Sequence, residues 1–228
     1  MPHDVMLRIR FAVVPLLLSL LAGCASAPAP RTVHQDSRTV VQLRIDQRAK
    51  SGHSHPAGLT RDQMVAILSG VRVRSDREAI HRLFSGEAEE RPAFTSEEVW
   101  ALAAPIAKAL AQAKPDELVT FYRRVSDQTV GLAFTTGGIF VRGDEVYVIL
   151  ANSRQIPADA MALGIPAYEM DPVDDPLLPL RRAGYTVGFV PKEAEVHGVP
   201  GTWTWEYSDP GKVVVINTAL LPRPSRSR

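Results

Sequence analysis

His53-Ser54-His55 sets two imidazoles two residues apart, which on a strand would put both on one side. Two such rings are a workable start for a metal site. No convincing third ligand lies beside them, so both are expected as solvated side chains of a linker. Asp171-Pro172-Val173-Asp174-Asp175-Pro176 gathers three carboxylates, the ligand type that calcium and other hard cations take. Its prolines restrict the loop and its spacing fits no EF-hand. Turn-forming aspartates account for the same letters. Trp203, Trp205 and Tyr207 alternate and therefore share one strand face. Exposed, that row would contact a ligand, stacking on sugar rings or meeting another protein; buried, it is core. Core is the expected reading. Arg142-Gly143-Asp144 spells a cell-adhesion tripeptide, but a hairpin turn asks for Gly-Asp at the same place. His81 is expected at the surface, and His197 in a loop between strands with no partner ligands. The chain contains no Gly-x-Ser-x-Gly elbow, no His-Glu-x-x-His motif and no Walker-type phosphate loop. The expectation is therefore a non-enzyme without a cofactor or a metal. A hydrolase with dispersed catalytic groups is the minor alternative.

The single cysteine, Cys24, closes an apolar run. Arg8 and Arg10 precede Phe11-Ala12-Val13-Val14-Pro15-Leu16-Leu17-Leu18-Ser19-Leu20-Leu21, and the small residues Ala22 and Gly23 follow. A positive start, a short apolar stretch and small residues describe a secretory signal peptide. The stretch is shorter than the ~20 residues that span a bilayer as a helix. Beginning at Met6 instead of Met1 would leave a more usual leader. Leu21-Ala22-Gly23-Cys24 resembles the lipobox of bacterial lipoproteins at every position. The resemblance implies a leader at 1–23, cleavage before Cys24, a diacylglycerol on its sulfur and an acyl chain such as palmitate on its new amino group. Several chains on one residue give an anchor that a single chain does not. Ala25 and Ser26 follow where an aspartate would favour inner-membrane retention. In a Gram-negative host the implied address is therefore the periplasmic face of the outer membrane.

The rest of the chain must position whatever acts. Its 228 residues suffice for one sizeable domain, with 45% apolar and 22% charged residues. A formal net charge of +1 gives no general attraction to nucleic acid. Residues 24–57 read as a lipid-anchored flexible tether, interrupted by Thr39-Val40-Val41-Gln42-Leu43-Arg44-Ile45, an alternating stretch suited to an edge strand. Thr60-x-x-Gln63 and Thr95-x-x-Glu98 are capping boxes ahead of helical stripes. Asp76 is placed to cap a further helix between them. Pro105 predicts a kink or a two-piece helix. Val71-Arg72-Val73-Arg74 reads as a short strand or link.

After Pro115 the period changes to two, with strands predicted at 117–124, 130–134, 139–142 and 145–151. Gly143-Asp144 forms a hairpin turn, and Gly137-Gly138 a bulge or a second turn. The prolines of 152–183 predict a long surface excursion. Strands return at 185–190, 203–207 and 213–217, the last two joined by a turn at 208–211. The tail 222–228 reads as a disordered basic end whose Arg223, Arg226 and Arg228 could meet anionic headgroups.

The expected fold is α+β, with N-terminal helices packed on one face of an antiparallel β-meander, as a single domain over 58–221. The expected function is a membrane-anchored lipoprotein facing the periplasm that binds or scaffolds another cell-envelope component. A small-ligand or glycan-binding module using the Trp203/Trp205/Tyr207 face is the runner-up.

Overall fold

A computed structural model describes residues 28–49, 52–75, 90–127, 131–156, 171–180, 184–197 and 210–221. Cys24, His81, Trp203, Trp205, Tyr207, the expected leader, the helix predicted after Asp76 and the predicted tail lie outside the described residues.

The chain opens with two strands, β1 (Arg31–Gln35) and β2 (Thr39–Ile45). Helix α1 (Arg61–Gly70) runs directly into β3 (Val71–Ser75), and the short β4 (Arg91–Pro92) precedes α2 (Ser96–Leu110). Three long strands follow: β5 (Glu117–Asp127), β6 (Gly131–Arg142) and β7 (Glu145–Gln155). The last strands are β8 (Tyr185–Phe189) and β9 (Val213–Asn217). The fold is thus mixed and dominated by strands. An antiparallel six-stranded sheet is ordered β1-β2-β5-β6-β7-β9, and a three-stranded sheet is ordered β4-β3-β8.

The expected tether is corrected here. Much of residues 31–57 belongs to the fold, and β2 is an inner strand held between β1 and β5. The reason is a turn that local hydrophobicity does not reveal. Asp36 Oδ1 accepts hydrogen bonds from the backbone N–H of Arg38 (2.7 Å) and Thr39 (2.8 Å), folding β1 back on β2. A predicted pair of strands at 130–134 and 139–142 is also one continuous strand, β6. Its glycines sit mid-strand, beside shifts in the β6–β7 register between Phe134 and Gly137.

Both capping boxes are formed. Thr60 and Gln63 cap α1, and Thr95 and Glu98 cap α2. Pro105 does not split α2, which runs unbroken through Leu110. Leu102, Ile106 and Leu110 are fully buried and hold that helix in the core on both sides of the proline.

Alternate residues of the large sheet fall in different apolar clusters, as the pleat requires. Val41, Leu43, Val119, Phe121, Val148 and Leu150 share a cluster with Met64 and Leu68 of α1 and Leu102 and Ile106 of α2. Leu118, Phe140, Tyr147 and Ile149 form a second cluster against Leu177, while Val40, Tyr122 and Phe134 form a third against Val173 and Leu180. Burial on both faces explains why Val146 through Ala151 is continuously apolar and continuously buried.

Residues 171–180, the described part of the predicted excursion, are therefore docked. Asn152 clasps them. Its side-chain nitrogen donates to Thr136 Oγ1 (2.8 Å) and to the Leu178 carbonyl (2.9 Å), and its oxygen accepts from Leu180 N–H (2.8 Å). Asn152→Ala is expected to destabilise the domain by about 1–3 kcal/mol, because it leaves the buried Thr136 hydroxyl and the backbone groups of Leu178 and Leu180 without their partner. Amide exchange at Leu180 should also accelerate. Unaltered Leu180 exchange in the variant would show that the clasp does not hold this segment.

Candidate functional site

The histidine pair singled out by spacing sits with buried Asp46 and Glu117 near the hairpin end of the sheet. His53 and His55 are not solvated, being 5% and 6% exposed. The segment after β2 is pulled inward by backbone bonds from His53 N–H to the Pro115 carbonyl (2.7 Å) and from Ser54 N–H to the Val141 carbonyl (2.8 Å). A polar-looking stretch is thereby carried beneath the sheet's end, where its imidazoles must find partners.

The two rings are used differently. His53 Nε2 lies 2.8 Å from Asp46 Oδ2, and both side chains are almost wholly buried. The ring stacks on Phe140 at 4.3 Å, and Phe140 stacks in turn on Tyr147 at 4.6 Å. His55 Nε2 accepts the Val141 N–H at 3.2 Å, so its Nδ1 carries the hydrogen donated to the Glu117 carbonyl at 2.8 Å. That pairing fixes the neutral tautomer. Burial of the ring, followed by the nearness of His53, pushes the His55 pKa below its ordinary 6.5.

A depressed imidazole pKa has a definite sign. As pH falls through 6.5 the unfolded chain takes up a proton that the folded His55 refuses, so stability is lost on acidification. Denaturation midpoints measured from about pH 7.5 to about pH 5.5 should fall for the wild type. They should fall less steeply for His55→Phe, whatever its absolute stability. Equal slopes would remove His55 as the titrating group.

The surrounding groups are similarly committed. Burial would raise the Glu117 carboxyl, but hydrogen bonds from Arg31 (2.9 Å) and from Lys114 N–H (2.8 Å) hold it below its usual range. Burial and the 2.9 Å bond to Glu145 push the Tyr147 hydroxyl up to about 12. Arg142 lies over the Phe140 and Tyr147 rings. An aspartate–histidine pair resembles the orienting half of a catalytic triad. Here the ring stacks on Phe140, and its bond to Asp46 ties His53 to the residue that follows β2.

The other predicted residues fall into place separately. Asp171 Oδ2 accepts the Tyr122 hydroxyl at 2.8 Å, and its Oδ1 caps Val173 N–H at 3.0 Å. Arg44 donates to the Asp174 carbonyl at 2.7 Å. These contacts make the aspartate cluster a docked turn. Gly143-Asp144 forms the β6–β7 turn, with Gly143 at φ +56°. His197 is largely exposed, 3.8 Å from Glu195. Among the described residues, no group of three or more His, Cys, Asp or Glu is placed to hold a metal ion.

No known family, curated protein or solved structure matches the chain.

The buried roles of Glu98 and Lys212 also escaped the sequence reading. Glu98, legible as a capping residue, also accepts from Thr135 Oγ1 at 2.6 Å, which ties α2 to β6. Lys212 is 3% exposed and donates to the Tyr185 carbonyl at 2.7 Å over the same residue's ring. The Tyr185 hydroxyl, its pKa raised by burial, donates to the Leu150 carbonyl at 2.8 Å. Neither pairing follows a local pattern, because each joins residues from distant parts of the chain.

Proposed function

We propose that this chain is a lipid-anchored protein of the bacterial envelope, acylated at Cys24, whose domain binds or scaffolds another envelope component without catalysis. The observation that carries this reading is the run Leu21-Ala22-Gly23-Cys24 behind a positively charged, apolar leader. Supporting it is the inward use of the ionisable groups: Asp46 with His53, Glu98 with Thr135, Lys212 with Tyr185. Such pairings set the fold instead of converging on a reacting atom. We place the protein on the periplasmic face of the outer membrane in a Gram-negative host. We also take both helices to cover one face of the large sheet, with residues 171–180 against the other.

Mass spectrometry of the product made in a Gram-negative host tests the reading. An amino-terminal peptide beginning at an acylated Cys24 is expected, and Cys24→Ser should release the protein from the membrane fraction. An intact leader with an unmodified thiol would end the proposal. Crosslinking in intact envelopes should then retrieve a reproducible partner.

A further inference from the structure

The two buried histidines sit on a segment that little else holds down. Residues 52–57 read Gly-His-Ser-His-Pro-Ala, between β2, which ends at Ile45, and α1, which begins at Arg61. None of the six pairs in a ladder of either sheet. Gly52 and Ala57 offer little apolar area, and Ser54 and Pro56 are exposed. What remains is polar. His53 N–H bonds the Pro115 carbonyl (2.7 Å), Ser54 N–H that of Val141 (2.8 Å) and Ala57 N–H that of Leu110 (2.9 Å). Ser54 Oγ accepts from Gly143 N–H at 2.8 Å. The large side chains that the segment turns inward are its two imidazoles.

His55 is the group that acid turns against these contacts. Its Nε2 accepts the Val141 N–H, so a proton on that nitrogen would point at a donor and the bond could not survive. The His53 ring lies 5.3 Å away. The Glu117 carboxylate, bonded by Arg31, favours a proton on His55, but burial and the adjacent His53 oppose it more strongly. His53 is itself paired with Asp46. The elements that hold the segment carry further charges. Arg48 after β2, Lys108 on α2, Lys114 and Asp116 ahead of β5 and Asp144 in the β6–β7 turn are exposed. Arg142 of β6 lies over the Phe140 ring, and Glu145 of β7 is bonded by the Tyr147 hydroxyl.

The neighbouring elements do not depend on this segment. β2 is paired with β5 along its whole length, β6 and β7 have their own ladder, and α1 is held by the fully buried Met64, Ile67 and Leu68. Residues 52–57 can therefore lift away while those contacts persist. We propose that they form an acid-released latch: protonation of His55 frees the segment from Pro115 and Val141 while the large sheet stays paired, and uncovers the Phe140 ring on which His53 stacks. Phe140 is 1% exposed with the latch closed and stacks on Tyr147. Opening therefore presents an aromatic surface at the hairpin end of the sheet. The device belongs to the domain itself and does not depend on the lipid anchor.

Native-state hydrogen exchange on the whole protein tests this, with rates corrected for the intrinsic pH dependence of amide exchange. Between about pH 7.5 and about pH 5.5, protection of the His53, Ser54, Ala57 and Val141 amides should fall by up to about tenfold. In low urea these amides should exchange through an opening that denaturant barely affects, because little surface is exposed, whereas amides of the β5–β6 ladder should respond steeply. In His55→Gln, whose side chain donates and accepts but does not titrate, the fall with pH at the four amides should disappear, whatever their starting protection. Equal protection at the two pH values would overturn the latch. So would loss of protection only together with the ladder amides and with the same urea dependence, since that is global unfolding. Neither of those outcomes needs a variant. A His55→Gln protein that folds and shows the wild-type fall would overturn it too, by placing the titration elsewhere.

Discussion

Gly137→Ala is expected to destabilise the domain by about 3 kcal/mol or more, and Gly137→Val to prevent folding. Gly137 lies mid-strand in β6, opposite Phe121 of β5 and Leu150 of β7. A Cβ there would run into the Ile149 carbonyl oxygen and stand 2.7 Å from Phe121 Cζ. The carbonyl is backbone in a central ladder and has nowhere to move. Phe121 is fully buried and packs edge-on against Phe94 at 5.9 Å, so its ring cannot swing aside either. The neighbouring glycine is an internal control. A Cβ on Gly138 would meet the tips of Leu118 (2.8 Å) and Leu177 (3.1 Å), which are flexible side-chain ends. Gly138→Ala should therefore cost only about 1–2 kcal/mol. Urea denaturation of the two variants gives the comparison, and a Gly138 variant weaker than the Gly137 variant would refute this account of the sheet.

His53→Leu is expected to cost about 3 kcal/mol, although leucine is apolar and the site is buried. The loss arises at Asp46. Its Oδ2 gives up the 2.8 Å bond from the imidazole while still enclosed. The flat ring that stacks on Phe140 is lost as well. Adding Asp46→Ala to His53→Leu should recover part of the loss, because the carboxylate that gave up that bond is then gone. A double-mutant cycle by chemical denaturation should show coupling of about 1 kcal/mol or more. Strict additivity would mean that the pair does not act as a unit.

The two variants differ in how visible their causes were. Gly137-Gly138 stands out as a possible bulge, yet nothing local says that Gly137 is the irreplaceable one. That depends on a carbonyl in β7 and a ring in β5. His53-Ser54-His55 stands out too, but its setting misleads. Short, polar, proline-flanked stretches are usually solvated, and only the bonds to Pro115 and Val141 draw this one inward. The helices were legible because their signals are local. A threonine bonds an amide three residues on, and a stripe repeats every three to four residues. The Gly143-Asp144 turn was legible for the same reason.

By itself, the sequence determined the two capped helices, the strand character of 117–124 and 145–151 and the Gly143 turn, since each is a pattern within a few residues. Only the tertiary structure decided that residues 31–35 join the sheet and make 39–45 an inner strand instead of an edge, that Asn152 clasps 171–180 and that Asp46 receives His53. Each of those depends on which distant groups are brought within hydrogen-bonding reach. A buried polar atom depends for its partner on whatever the fold places beside it, and that neighbour is set by the packing of the whole chain.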